Sequence, residues 1–213
     1  MSNRLRIAIT KGRLLDQSLE MFEKMGLDCS PIKNPGRRLI HSIPNYPLDA
    51  VLAKAPDVIT YVEHGVCDLG IVGKDTILEQ GKSFYEVLDL GFGKCRFALA
   101  VREGSDFYGT YKTRRIATKY PEVTRNFFEK KGMDVSIIKI EGSVELAPIL
   151  DLADGIVDIV ETGATLRENG LVPIEDVANL SARLIVNTAS MKLRKAEILD
   201  FISRCEKELE CRA

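Results

Sequence analysis

Tryptophan is absent from the 213 residues, and histidine occurs only twice, as His41 and His64. Two imidazoles are too few for a His-rich metal centre, and neither lies in a pattern that suggests catalysis. The five cysteines (Cys29, Cys67, Cys95, Cys205 and Cys211) are odd in number and form no C-x-x-C pair, which argues against a disulfide framework or a zinc site. No apolar stretch approaches the roughly 18 residues of a membrane span. The N-terminus shows neither the long apolar segment nor the small-residue cleavage site of a signal peptide. An excess of either charge is also missing: 30 Lys and Arg face 31 Asp and Glu, a formal net charge of -1. That balance gives no basic surface for nucleic acid or an anionic membrane. These absences lead to the expectation of a soluble, reduced, cytoplasmic protein.

Apolar residues make up 45% of the chain and charged residues 29%, enough to build a core without a structural metal. Short apolar runs predict strands at residues 4–10, 49–54, 68–72, 85–90, 95–101, 115–118, 135–140, 156–160 and 182–187. Helical periodicity predicts helices at 14–25, 57–64, 121–131, 144–151 and 191–209, with Asp57 and Pro121 near two of the starts. The last helix is amphipathic and is expected to pack on its own lobe. Strands alternating with helices imply an α/β fold with mainly parallel sheets. A polar stretch after residue 101 marks a lobe boundary. The expected organisation is residues 1–101 plus 179–213 for the first lobe and 102–178 for the second.

An internal similarity supports two like lobes. Asp68-Leu-Gly-Ile-Val-Gly73 opens a short helix ending at Gly81, and Asp158-Ile-Val-Glu-Thr-Gly163 opens one ending at Gly170. Any two strand-to-helix turns share some of this pattern, so the match alone decides little.

Three segments carry candidate chemistry. In the first, Asp154, Asp158 and Glu161 lead into Thr162-Gly163-Ala164-Thr165 at a helix start. Free backbone amides, a glycine allowing close approach and two hydroxyls suit a phosphate, while the carboxylates suit ribose hydroxyls or a water-held cation. A capped turn with solvated acids would read the same way. In the second, Lys11-Gly12-Arg13 follows a strand, where a mobile ammonium and a bidentate guanidinium can hold phosphates. In the third, Gly73-Lys74 puts a cation at a helix start, against the helix dipole, which favours an anionic ligand. Its spacing is not that of a P-loop. Arg37, Arg38 and Lys54 are weaker candidates, and Pro35 to Arg38 reads as a surface loop.

Together these segments resemble the ATP phosphoribosyltransferase family. The resemblance rests on Ile9-Thr-Lys-Gly-Arg-Leu14, Asp57 to Gly65, Asp68 to Asp75, Leu88 to Arg96 and Asp154 to Leu166, and covers nearly the whole chain. It implies the first step of histidine biosynthesis, in which ATP and phosphoribosyl pyrophosphate (PRPP) give N1-(5-phosphoribosyl)-ATP and pyrophosphate. It further implies a two-lobed, periplasmic-binding-protein-like (type II) fold with the active site in the cleft between lobes. Mg²⁺ is implied as the cofactor, carried by substrate with no direct protein ligands.

Under the resemblance, Thr162 to Thr165 would take the ribose 5-phosphate. Asp154 and Asp158, with Glu161 nearby, would serve the ribose. Lys11, Gly12, Arg13, Gly73 and Lys74 would serve ATP, and Arg37, Arg38 and Lys54 the departing pyrophosphate. Lys54 stands where relatives often carry arginine, which weakens bidentate gripping there. The chain resembles the family's short form, which works in a hetero-oligomer with a regulatory subunit related to histidyl-tRNA synthetase and is expected to form a homodimer alone. Two rivals stay open: another PRPP-dependent transferase, and a non-catalytic two-lobe ligand-binding protein.

Overall fold

A computed structural model describes residues 4–34, 36–81, 83–109 and 112–211. The chain divides into one unit of Met1–Gly93 with Ser181–Ala213 and another of Lys94–Leu180.

The first unit starts with β1 (Leu5–Thr10), α1 (Arg13–Lys24), α2 (Ser30–Lys33), β2 (Ile40–Ser42), β3 (Leu48–Ala53) and α3 (Ala55–Glu63). β4 (Leu69–Gly73), α4 (Lys74–Gln80) and β5 (Phe84–Asp89) follow. The second unit holds β6 (Cys95–Arg102), β7 (Arg114–Thr118), α5 (Pro121–Lys130) and β8 (Val135–Lys139). It continues through α6 (Leu146–Ile149), β9 (Gly155–Val160), α7 (Ala164–Glu168) and β10 (Leu171–Leu180). β11 (Ala182–Asn187), α8 (Thr188–Leu193) and α9 (Lys195–Glu210) return to the first unit.

The first sheet runs β2-β3-β1-β4-β11-β5, and the second runs β10-β6-β9-β7-β8. β1 lies parallel between β3 and β4, and β7 lies parallel between β8 and β9. An antiparallel strand then follows in each, β11 beside β4 and β6 beside β9. The sheets are therefore mixed rather than mainly parallel, with the parallel triplets as their common element. β4 is buried along its whole length, as a strand covered on both faces requires.

The repeat is real, but its register differs from the sequence match. The Asp68 carboxylate accepts from the Arg6 amide at 2.8 Å, and the Asp154 carboxylate accepts from the Arg115 amide at 2.8 Å. Each aspartate amide also donates to the carbonyl of the same arginine at 2.8 Å. Asp68 thus corresponds to Asp154, not to Asp158. Of the glycines that drive the match in sequence, Gly73 ends β4, whereas Gly163 lies three residues beyond the end of β9 and caps α7.

Other boundaries also move. β6 pairs with β9 and β10, so residues 95–101 belong to the second unit rather than the first. α3 starts two residues earlier than expected, with Lys54 at its cap, Pro56 at its start and Asp57 in its first turn. The helix expected at 144–151 shortens to α6, and β10 was not anticipated. The C-terminal helix is interrupted at Arg194, whose guanidinium donates to the Arg4 carbonyl at 2.9 Å. Its apolar face packs on its own unit: Ile198, Phe201, Ile202 and Cys205 join Phe22 of α1 in the core.

Candidate active site

Open α/β sheets bind ligands beyond the carboxyl ends of their parallel strands. In the first unit these ends carry Lys11 after β1, Lys54 after β3 and Lys74 after β4. In the second unit they carry Lys119 after β7, Lys139 as the last residue of β8 and Glu161 after β9. Five of these six strand ends bear a lysine, although the whole chain is nearly neutral.

In the first unit, the Lys11 amide donates to the Ala53 carbonyl at 2.9 Å, which ties the β1 turn to the end of β3. Gly12 caps α1 with φ 89, a conformation glycine adopts without strain, and no side chain bonds the helix's first amides. Lys11, Gly12 and Arg13 are exposed around that helix start. Lys54 is exposed at the start of α3, again with no capping side chain. Arg37 and Arg38 are exposed just before β2. Since β2 runs antiparallel to β3, they precede β2 at the edge where β3 ends. Pro35 lies outside the described residues.

Gly73 and Lys74 differ from this open arrangement. A Cβ at Gly73 would lie 2.1 Å from the Asp75 carboxylate, which folds back over the turn. Burial raises the Asp75 pKa, and its own helix amides oppose the rise. The Lys74 ammonium donates to Glu86 at 2.5 Å, and Arg183 reaches the same carboxylate at 3.4 Å. The β4 turn is therefore neutralised from within and is not an open anion receptor.

In the second unit, Gly163 caps α7 in the left-handed region at φ 72. Thr162 Oγ1 accepts from the Ala164 amide at 3.3 Å. Arg167, unremarked in the sequence, donates to the Thr162 carbonyl at 3.1 Å and adds positive charge at the loop. Glu161, Thr162, Ala164 and Thr165 are exposed.

Asp158 lies on the face of β9 that also carries Ile156 and Val160. Burial raises its pKa; Lys119 opposes the rise and Glu145 adds to it. Asp158, Lys119 and Glu145 thus form one electrostatic neighbourhood near the end of β9. Lys119 was missed in the sequence although a signal existed: Thr118-Lys119 ends β7 as Thr10-Lys11 ends β1.

Asp154 is not part of that group. It precedes β9, whose six residues span ~20 Å. The T-G-A-T turn lies beyond the opposite end. Burial opposes Asp154 ionisation, but the Arg115 amide and guanidinium outweigh it and hold the pKa below the usual carboxylate range. Its role in this structure is to join β9 to β7.

Among the described residues no group of three or more His, Cys, Asp or Glu side chains is placed to hold a metal ion, and no helix is long and apolar enough to cross a membrane.

The sequence matches the HisG family, ATP phosphoribosyltransferase, over residues 54–207. The chain belongs to this ATP phosphoribosyltransferase family. It is 59% identical to the ATP phosphoribosyltransferase of Clostridium kluyveri over 206 residues, covering 97% of this chain and 94% of the relative. It is 60% identical to that of Clostridium acetobutylicum over 207 residues, covering 97% and 96%. The solved "ATP phosphoribosyl transferase (HisG:HisZ) complex from Thermotoga maritima" superposes with a TM-score of 0.82 at 32% identity, covering 97% of this chain and 98% of that one. The aliphatic sulphonate binding protein SsuA of Escherichia coli shares the fold alone, with a TM-score of 0.61 at 13% identity, covering 96% and 72%. The ATP phosphoribosyltransferase family and the periplasmic-binding-protein fold are thus both present in this chain, as the resemblance implied.

Proposed function

We infer that this chain catalyses ATP + PRPP → N1-(5-phosphoribosyl)-ATP + pyrophosphate, the first step of histidine biosynthesis. Beside family membership, the observation that carries the reading is the lysine array at the strand ends of both units, joined in the second by the T-G-A-T turn. Two phosphorylated substrates call for that arrangement.

The reaction asks little acid–base chemistry of the protein. Adenine N1 already has a lone pair, which attacks the anomeric carbon as the C1–O bond to pyrophosphate breaks. Positive charge builds on the ribose and negative charge on the leaving group, so catalysis is positioning plus charge stabilisation. Thr162 to Thr165 and Arg167 would hold the 5-phosphate. Asp158 would face the ribose, with Lys119 beside it. Lys11, Gly12 and Arg13 would bind the ATP phosphates, and Lys54, Arg37 and Arg38 the departing pyrophosphate. Lys74 would contribute only where a phosphate displaces Glu86.

A divalent cation, which we take to be Mg²⁺, would neutralise charge on the pyrophosphate. The phosphate oxygens of the substrates are hard donors that suit such a cation, which would keep several waters and take no direct protein ligand. The substrates place the reaction in the cytoplasm. The Thermotoga maritima complex supports a hetero-oligomeric partner, for which we propose a regulatory subunit related to histidyl-tRNA synthetase.

Turnover is testable by the absorbance of N1-alkylated adenine, with ATP, PRPP and Mg²⁺. Thr162→Ala and Arg13→Ala should each lower kcat/KM by roughly tenfold or more, the size of one lost charge-assisted hydrogen bond. Silence of the intact chain, with the regulatory partner also present, would overturn the reading in favour of a ligand-binding protein sharing the fold.

A further inference from the structure

β7 lies parallel between β8 and β9, a position where strands covered on both faces run to unbroken apolar side chains. Ile116 and Ala117 are fully buried, as that position requires. Thr118 is also 0% exposed, where valine has nearly the same shape and no hydroxyl to satisfy. The hydroxyl is satisfied twice. It donates to the Val157 carbonyl of β9 at 2.7 Å and accepts from the Tyr120 amide at 2.9 Å. The Thr118 carbonyl accepts in turn from the Ile140 amide, just beyond β8, at 3.0 Å.

Both hydroxyl bonds end one residue from a charge placed at the ribose of PRPP. The turn from Thr118 to Tyr120 encloses Lys119, and Val157, which faces Thr118 in the β7–β9 register, immediately precedes Asp158. Tyr120 is held from its other side as well. Its carbonyl accepts from the Thr124 amide at 3.0 Å and the Thr124 hydroxyl at 2.9 Å. Its ring meets Phe97 edge-on with centroids 4.7 Å apart. The backbone on either side of the exposed Lys119 is therefore fixed. We propose that Thr118 is a positioning residue, whose buried hydroxyl holds the Lys119 ammonium and the Asp158 carboxylate side by side across β7 and β9. The proposal rests on the phosphoribosyl-transfer reading for the substrate, and on the two hydrogen bonds alone for the pairing.

Thr118→Val removes the hydroxyl and keeps the shape, while Thr118→Ser keeps the hydroxyl. Burial raises the Asp158 pKa, Lys119 opposes the rise and Glu145 adds to it, so the Asp158 titration reports where Lys119 stands. The Asp158 carboxyl carbon, assigned in the full chain with Asp158→Asn, should titrate at higher pH in Thr118→Val than in wild type. Thr118→Ser should bring the midpoint back. In steady-state kinetics with the regulatory partner present, Thr118→Val should raise KM for PRPP several-fold, leave KM for ATP in place and be rescued by Thr118→Ser. An unmoved Asp158 midpoint in Thr118→Val, or a rise in KM shared equally by both substrates, overturns the positioning role. Lys119→Gln, at an exposed position, keeps the test decisive where Thr118→Val does not fold: it must raise the Asp158 midpoint too, and an unmoved midpoint there refutes the pairing. Absence of turnover in the wild type is a separate result, which refutes the reaction and leaves the Asp158 titration to decide the role of Thr118.

Discussion

Asp154 illustrates how one residue can read as ligand-binding in sequence and structural in space. Its carboxylate bonds the Arg115 amide at 2.8 Å and lies 3.6 Å from the Arg115 guanidinium, as part of a clamp that Asp68 repeats on Arg6. Asp154→Asn is expected to cost about 1–2 kcal/mol, the scale of a charged hydrogen bond in a partly screened position. The pH dependence follows from the lowered folded pKa. Stability from the clamp is present above the unfolded carboxyl value and is lost as pH falls through the folded one, below about 3.9. Urea midpoints from neutral to acid pH should therefore converge for wild type and variant. Steady-state kinetics provide the complement. Asp158→Asn should raise KM for PRPP severalfold more than Asp154→Asn, and equal effects would restore Asp154 to the site.

Among the elements, α9 contributes most visibly to the core of the first unit. Phe201 is fully buried and meets Phe22 of α1 edge-on with ring centroids 5.8 Å apart. Phe201→Ala should cost about 3–5 kcal/mol, read as a lower denaturant midpoint. Pyrophosphate affinity under native conditions should hold, because α9 contributes no residue to the phosphate-binding turns. Short elements were hardest to read. β2 has three residues and α6 four, too few for periodicity to register. β10 is long, but its pairing with β6 slips twice, and those irregularities break the alternation that would mark it as a strand. By contrast, β1, β4 and β11 were legible because central strands demand unbroken apolar runs.

For the molecule as a whole, the duplicated sheet order predicts a division of labour. Lys11→Ala, in the first unit, should raise KM for ATP with little change for PRPP, and Lys119→Ala, in the second, should do the reverse. Each shift should be several-fold and should shrink as salt screens the exposed charges. Initial rates over a grid of both substrates would show it, and crossed effects would refute the assignment.

The sequence by itself determined the family, the α/β class and most central strands, and it supplied the proposal that the β1 and β9 turns take phosphates. These depend on local composition and on glycine, lysine and threonine at fixed offsets, which survive without knowledge of neighbours. Only the tertiary structure decided that Asp154 clamps strands, that Asp75 and Glu86 neutralise the Lys74 turn, and that Arg167 folds onto the T-G-A-T loop. It also placed Lys119 beside Asp158. Most of these facts depend on strand register or chain folding-back, which set which charges meet across a sheet, and pairing partners tens of residues apart leave no local trace.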